Sequence, residues 1–134
     1  MNKLIIFTDG GARGNPGPSG IGAVLYNEDK AIVAEISEYL GVATNNQAEY
    51  KALIAALKKA TELKATELDC YLDSELVVKQ LKREYKVKNQ DLAPLFLMIH
   101  NLSLNFKKIS YTHIPREKNK EADRLANEAM DRGK

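Results

Sequence analysis

The chain has little cysteine, no tryptophan and no long apolar run. Its single cysteine, Cys70, excludes an internal disulfide and agrees with a reducing compartment. No stretch of about 18 apolar residues is available to cross a membrane. The N-terminal segment MNKLIIFTDG turns acidic too early for the apolar core of a signal peptide. We therefore expect a cytoplasmic protein that has no membrane partner.

Neither sign of charge is in clear excess. The chain has 20 Lys+Arg and 18 Asp+Glu, a net charge of +2, which argues against a polycation that coats nucleic acid by charge alone. An anionic partner must therefore be bound locally. At 134 residues, 44% of them hydrophobic, the chain is long enough to bury a core. We expect residues 1–134 to form one domain that acts as a monomer.

Strand-like and helix-like patterns alternate along the chain. Runs of β-branched and aromatic residues predict strands at 3–9, 20–29, 30–41, 67–73 and 107–114. Apolar residues at helical spacing predict helices at 45–63, 74–85, 91–106 and 119–133. The order β-β-β-α-β-α-α-β-α indicates an α/β fold in which helices pack on a mixed sheet.

Four acidic residues fall at the ends of these predicted elements. Asp9 and Asp73 end the first and fourth strands, and Glu49 and Asp123 lie in the first turns of two helices. Ligands of open α/β sheets gather at the carboxyl ends of parallel strands, where helix N-termini also point. The four carboxylates are therefore predicted to converge on one edge of the sheet. Taken singly, each is also explained as a turn residue or as a first-turn acid that favours the helix dipole.

Carboxylates that converge in this way need a cation between them. Like charges in a shared site repel and titrate abnormally. Oxygen ligands without a His/Cys cluster favour a hard ion, and Mg²⁺ or Mn²⁺ fits best. Two such ions about 4 Å apart suit in-line displacement at phosphorus, where one activates water and the other stabilises the departing oxygen.

Four sequence blocks resemble type 1 ribonuclease H, in its short archaeal-like or reverse-transcriptase-like branch. They are FTDGGARGNPGPSGIGAVL, ATNNQAEYKALIAAL, CYLDSELVVKQL and HIPREKNKEADRLANEA, which stand in family order and together span residues 7–129. The resemblance implies a ribonuclease H-like fold with a five-stranded mixed sheet of order 3-2-1-4-5 and helices on both faces. It also implies that two Mg²⁺ or Mn²⁺ ions support hydrolysis of the RNA strand of an RNA/DNA hybrid, leaving 5′-phosphate and 3′-hydroxyl ends. The positions that match the family's catalytic and metal-binding acids are Asp9, Glu49, Asp73 and Asp123.

The resemblance further implies substrate contacts near these acids. Gly10, Gly11 and Asn15 match residues beside the 2′-hydroxyls of the RNA strand, the groups that distinguish RNA from DNA. A P-loop is a competing interpretation of this glycine-rich stretch, but the G-K-[ST] ending is absent. A plain hairpin connection is another. Thr44 and Asn89 match residues of the family's pocket for a DNA phosphate, and the other matched positions are Asn45, Asn46, Gln47 and Ser74. Thr44 and Asn45 are also good helix caps, and Asn89 is an ordinary turn residue.

The chain departs from the resemblance in two places. Residues 82–91 are basic but short and lack the tryptophan of the handle in many bacterial relatives, which predicts weaker or more salt-sensitive hybrid binding. The family's auxiliary histidine matches His113 in one alignment and is deleted in another, which puts His113 inside a strand. We favour the second alignment, in which Arg116 or Glu117 takes the loop position and Arg116 engages a phosphate as a cation. An acid or base role for His113 is kept as the alternative.

Two other functions are open at this point. One is a non-catalytic module that binds nucleic acid, which four intact acids argue against. The other is a nuclease of the same fold that acts on double-stranded RNA or on recombination DNA. The loop that reads 2′-hydroxyls favours the hybrid over these substrates.

Overall fold

The computed structural model describes residues 2–134, whose centre is a five-stranded sheet. The strands are β1 (Lys3–Ala12), β2 (Gly17–Tyr26), β3 (Ile32–Ala43), β4 (Glu67–Leu72) and β5 (Lys108–His113). The helices are α1 (Asn45–Glu62), α2 (Glu75–Leu81), α3 (Ala93–Ser103) and α4 (Lys120–Arg132), with a 3₁₀ turn at Arg116–Lys118. Within residues 2–134, none of the helices combines the length and the apolar character that crossing a membrane requires.

The strand order is β3-β2-β1-β4-β5, which confirms the order that the resemblance implies. β1, β2 and β3 form an antiparallel meander. β4 pairs in parallel with β1, and β5 in parallel with β4. The parallel half of the sheet therefore directs the carboxyl ends of β1, β4 and β5 toward one edge, the usual place for a ligand site in such sheets.

Helices cover both faces of the sheet, as predicted. On one face, α1, α2 and α3 bury a core whose fully buried side chains include Ile6, Leu25, Leu53, Leu57 and Leu68. Burying each such side chain stabilises the fold by about 1.5–3 kcal/mol. On the other face, α4 lies directly on β2, because a Cβ at Gly22 would be 2.2 Å from the Ala122 carbonyl oxygen. A side chain on Gly22 is therefore incompatible with this helix position.

The glycine-rich stretch differs from its prediction. β1 does not stop at Gly10 and Gly11 but continues to Ala12, because these glycines pair with Ile21 and Gly20 of β2. The stretch is therefore an arm of a β-hairpin, and Asp9 lies within β1 rather than at its end. Cross-strand pairing overrides the weak strand preference of glycine here.

The second helix is shorter than predicted. α2 ends at Leu81, and Arg83 has a φ of +64°, in the left-handed region that ends a helix. The basic residues that follow form turns and irregular structure before α3. The prediction of a helix to residue 85 is wrong because the Lys79–Tyr85 segment turns back, with the Glu84 N–H donating to the Lys79 carbonyl oxygen (2.8 Å).

Candidate active site

Three of the predicted acids meet beside the parallel strands. Asp9 projects from β1, Asp73 follows β4 directly, and Glu49 lies near the start of α1. One carboxylate oxygen from each residue lies within 4.8 Å of the other two. The parallel pairing of β1 with β4 brings Asp9 close to Asp73, and the packing of α1 on β1 adds Glu49.

The fourth acid, Asp123, lies beside this group of three. It occupies the first turn of α4 and lines the same cleft. Its Oδ1 is 3.7 Å from Nη2 of Arg116, whose side chain is 81% exposed. Asp123 is therefore paired with a cation that solvent can reach, and it faces the cleft from the side opposite α1.

Glu49 is held tightly and is almost fully buried. The Gly10 N–H donates to its Oε1 (2.5 Å), and its Oε2 is buried without a hydrogen-bond partner among residues 2–134. A Cβ on Gly10 would lie 2.3 Å from the backbone C and O of Ala48. Glycine is needed here because α1 approaches β1 so closely. The contact of Gly10 with a substrate stays a prediction.

Asp73 is held by a residue that the sequence analysis missed. Nδ2 of Asn119 donates to Asp73 Oδ2 (3.0 Å) and to the Thr8 carbonyl oxygen (2.8 Å). Asn119 stands directly before α4, where an asparagine normally indicates a helix cap. Its side chain makes no capping hydrogen bond. An asparagine at this position predicts a helix cap, but the Asn119 side chain binds Asp73 and Thr8 instead.

Burial and mutual repulsion raise the pKa of Asp9 and of Glu49. For Asp9 the largest cause is desolvation, followed by the charges of Glu49 and Asp73. For Glu49 the causes are desolvation and then the charge of Asp73. Both pKa values move in the direction expected for crowded carboxylates that are removed from solvent.

The donor set fits a hard divalent cation. Asp9, Glu49 and Asp73 offer only oxygen, the ligand type that Mg²⁺ and Mn²⁺ prefer. The buried Glu49 Oε2 is an acceptor that has no partner among the described residues, and a bound cation would satisfy it. These three residues are the ones that would hold a metal ion, with Asp123 beside them.

The hairpin between β1 and β2 is tied to the start of α1. The Ala12 N–H donates to Asn45 Oδ1 (2.8 Å), and the Asn45 N–H donates to Asn15 Oδ1 (3.0 Å). A Cβ on Gly11 would meet only Met130 Cε at 3.7 Å and Asn45 Oδ1 at 4.0 Å, so the backbone of Gly11 is open to the cleft. The predicted substrate residues Gly11, Asn15 and Asn45 thus form one connected surface.

Three other predicted substrate residues act in helix caps. Thr44 and Gln47 form a capping box at α1, in which the Gln47 N–H donates to Thr44 Oγ1 (3.1 Å) and the Thr44 N–H donates to Gln47 Oε1 (2.8 Å). Ser74 Oγ accepts from the Val77 N–H (3.3 Å) and caps α2. The helix-cap interpretation of Thr44 therefore describes its observed contact, and its contact with a phosphate stays a prediction.

The acids line one cleft of about 480 Å³. Six predicted substrate residues line it with them: Gly10, Gly11, Asn45, Asn46, Ser74 and Arg116. Arg13, Asn127 and Met130 also line the cleft and were missed. Arg13 reaches across from the hairpin and pairs with Asp131 of α4 (2.6 Å), a contact between segments that no local pattern predicts.

Asn89 and His113 are placed elsewhere. Asn89 Oδ1 accepts from the Asp91 N–H (2.7 Å) in the turn before α3, which matches its interpretation as a turn residue. His113 is the exposed last residue of β5 and pairs in register with Leu72. The prediction that His113 lies inside a strand is therefore confirmed, and Arg116 follows in the loop.

A larger groove of about 660 Å³ lies between β3 and α1. Its charged lining mixes lysines with glutamates, among them Lys51, Lys58, Glu35 and Glu38. Volume alone does not indicate chemistry. The cleft that gathers carboxylates with raised pKa values is the better candidate for an active site.

The family described as reverse transcriptase-like matches residues 7–129. The bifunctional protein Rv2228c of Mycobacterium tuberculosis is 48% identical over 130 residues, which cover 96% of this chain and 36% of that protein. The structure of its N-terminal RNase H domain superposes with a TM-score of 0.94, covering 96% of this chain and 99% of the other.

Ribonuclease HI of Halobacterium salinarum is 46% identical over 129 residues, which cover 96% of this chain and 65% of that protein. The RNase H1 structure from that archaeon has a TM-score of 0.94 at 44% identity and covers 97% of this chain and 98% of the other. LC11-RNase H1, isolated from compost, was crystallised with an RNA/DNA hybrid. That structure has a TM-score of 0.92 at 45% identity and covers 96% of this chain and 97% of the other. The chain thus spans about a third of the mycobacterial protein and about two thirds of the halobacterial one.

Proposed function

Because the chain belongs to the reverse transcriptase-like family of ribonuclease H domains, we propose that it is a metal-dependent endonuclease that hydrolyses the RNA strand of RNA/DNA hybrids. One observation carries the proposal. Three carboxylates lie within 4.8 Å of one another in an open cleft, and one of their oxygens is buried without a partner among the described residues. Hard divalent cations are bound by carboxylate oxygens grouped in this way. Without a cation, three carboxylates so close together would repel one another.

Four acids would hold the ions. Asp9 would contribute to both metal sites, Glu49 and Asp73 to one of them and Asp123 to the other. Bound Mg²⁺ or Mn²⁺ supplies a nucleophile at neutral pH and neutralises charge on the departing oxygen. The products are 5′-phosphate and 3′-hydroxyl ends.

Substrate selection is assigned to the surface formed by the hairpin and the start of α1. Gly11, Asn45 and Asn46 line the cleft that holds the acids, and Asn15 is joined to them through the Asn45 N–H. A minor groove that brings a phosphate to the acids would pass over this surface. Hydroxyl groups at the 2′ position are the feature that such amide and backbone groups read. A hybrid offers them on the strand that is cut.

Arg116 takes the loop position beside Asp123. Its guanidinium is exposed and 3.7 Å from the Asp123 carboxylate, so an arriving phosphate competes for the same cation. His113, at the end of β5, does not line the cleft, whereas Arg116 does, so His113 is the weaker choice for this role. Thr44 and Asn89 are kept as contacts to the DNA strand.

A panel of matched substrates tests the proposal. One sequence is prepared as RNA/DNA hybrid, as duplex RNA and as duplex DNA, and each is incubated with Mg²⁺, with Mn²⁺ and with EDTA. We expect metal-dependent cleavage of the RNA strand of the hybrid, with 5′-phosphate ends, and no cleavage by Asp73→Asn. Binding of hybrid without cleavage in either metal would instead favour the non-catalytic module, and stronger cleavage of duplex RNA would favour a different substrate.

A further inference from the structure

Asn119 contacts three parts of the acid cluster at once. Its Nδ2 donates to Asp73 Oδ2 (3.0 Å) and to the carbonyl oxygen of Thr8 (2.8 Å), the residue before Asp9. The backbone carbonyl oxygen of Asn119 accepts from the Asp123 N–H (3.1 Å). The residue is 1% exposed. A single buried side chain thus connects the strand that carries Asp9 with the carboxylate that follows β4.

The amide orientation of Asn119 is determined by its neighbours. Both groups next to Nδ2 are acceptors, a carbonyl oxygen and a carboxylate, so a turned amide would place oxygen against oxygen. Its Oδ1 is buried without a partner among residues 2–134. An unsatisfied buried acceptor is unfavourable, and an apolar side chain would fill the same space without it. The two N–H donors are therefore the property that this position requires.

We infer that Asn119 is a positioning residue that orients Asp73 for metal binding. It holds one oxygen of Asp73 and leaves the other for the ion, and its second hydrogen bond fixes that carboxylate relative to β1 and Asp9. The inference rests on the proposed function, because it takes Asp73 to be a metal ligand. Removing a hydrogen-bond partner of a ligating group typically weakens metal binding about 10–100-fold.

The test measures metal binding directly. Mn²⁺ is titrated calorimetrically into free wild-type protein and into Asn119→Ala, and steady-state cleavage of hybrid is measured in parallel. We expect about tenfold weaker Mn²⁺ binding and a lower kcat, with the KM for hybrid within about twofold of wild type. If Asn119→Ala does not fold, Asn119→Ser carries the same test, because its hydroxyl is too short to reach both Thr8 and Asp73.

Gln80→Ala is the matched control for a merely structural effect. Gln80 is also a buried amide, 6% exposed, but its Oε1 accepts from the Tyr50 hydroxyl (2.6 Å) and it lies outside the cleft lining. Its loss is expected to reduce stability in urea while Mn²⁺ binding stays within about twofold of wild type. Equal losses of Mn²⁺ affinity in Gln80→Ala and Asn119→Ala would overturn the inference.

A double-mutant cycle shows whether Asn119 acts through Asp73. In the Asp73→Asn background, Asn119→Ala is expected to change Mn²⁺ affinity by less than about twofold. A full tenfold loss in that background, or wild-type affinity in the single variant, would overturn the inference while the proposed function stands. Wild-type protein that neither binds Mn²⁺ nor cleaves hybrid would overturn both.

Discussion

Replacing Gly10 with alanine is expected to separate α1 from β1 and to displace Glu49. The new Cβ would lie 2.3 Å from the C and O atoms of Ala48 and 2.6 Å from the Glu49 N atom. All three are backbone atoms, so no change of rotamer relieves the contact. Restoring an ordinary separation of 3.4 Å requires the helix to move by about 1 Å.

The cost of this movement follows from its size. Overpacking in a core typically costs about 1–3 kcal/mol, and a clash with backbone belongs in the upper half of that range. For a chain of this length, the loss corresponds to a fall in Tm of about 10 °C. The same movement strains the hydrogen bond from the Gly10 N–H to Glu49. A displacement of about 1 Å at a catalytic group lowers the rate about 100-fold.

Gly11→Ala provides the matched control for stability. A Cβ there meets its nearest atom, Met130 Cε, at 3.7 Å, so the free energy of unfolding is expected to change by at most about 1 kcal/mol. Tm is measured by circular dichroism for both variants, and hybrid cleavage is measured for Gly10→Ala at saturating Mg²⁺. A Gly10→Ala protein with wild-type Tm and wild-type cleavage would refute the account of how α1 positions Glu49.

Three further predictions concern the acids and the core. Asp9→Asn and Asp73→Asn are each expected to abolish cleavage while hybrid affinity in a gel-shift assay stays within a few-fold of wild type; retained turnover would contradict the assignment. In EDTA, the raised pKa values of Asp9 and Glu49 predict that the free energy of unfolding falls as pH rises above about 4, the unfolded-state value, toward the folded-state values, and that Mn²⁺ removes this loss. Stability in EDTA that does not change between about pH 4 and 7 would argue against it. Tyr50→Phe leaves Gln80 Oε1 without its donor and is expected to cost about 1–3 kcal/mol in urea denaturation, with Mn²⁺ binding unchanged; an unshifted midpoint would contradict it.

Local patterns predicted those features that depend on neighbouring residues. The cap of α1 by Thr44 was predicted from its hydroxyl before an apolar run, whereas the contribution of Gln47 to the capping box was not. The turn after β2 follows from Asn27, whose Oδ1 accepts from two backbone N–H groups downstream. The strand order could not be predicted in this way, because periodicity identifies strands but not which strands are neighbours in the sheet. That order came from the family resemblance.

Features that depend on distant contacts were missed or misplaced. Asn119 contacts residues 46 and 111 positions away, and nothing near it in the chain encodes those bonds. The two glycines after Asp9 suggested an end to β1, yet pairing with β2 carries the strand through them. The convergence of Asp9 with Asp73 was easier to predict, because β1 and β4 are parallel neighbours that run toward the same edge of the sheet. The two acids directly follow Thr8 and Leu72, the last residues that pair between these strands.

Anomalous diffraction from crystals grown with Mn²⁺ and an RNA/DNA hybrid tests the central claim most directly. We expect two peaks about 4 Å apart, both in contact with Asp9, with one also bound by Glu49 and Asp73 and the other by Asp123. The scissile phosphate of the RNA strand is expected between them. Mn²⁺ bound elsewhere, with these four carboxylates free of metal while hybrid occupies the cleft, would contradict the account.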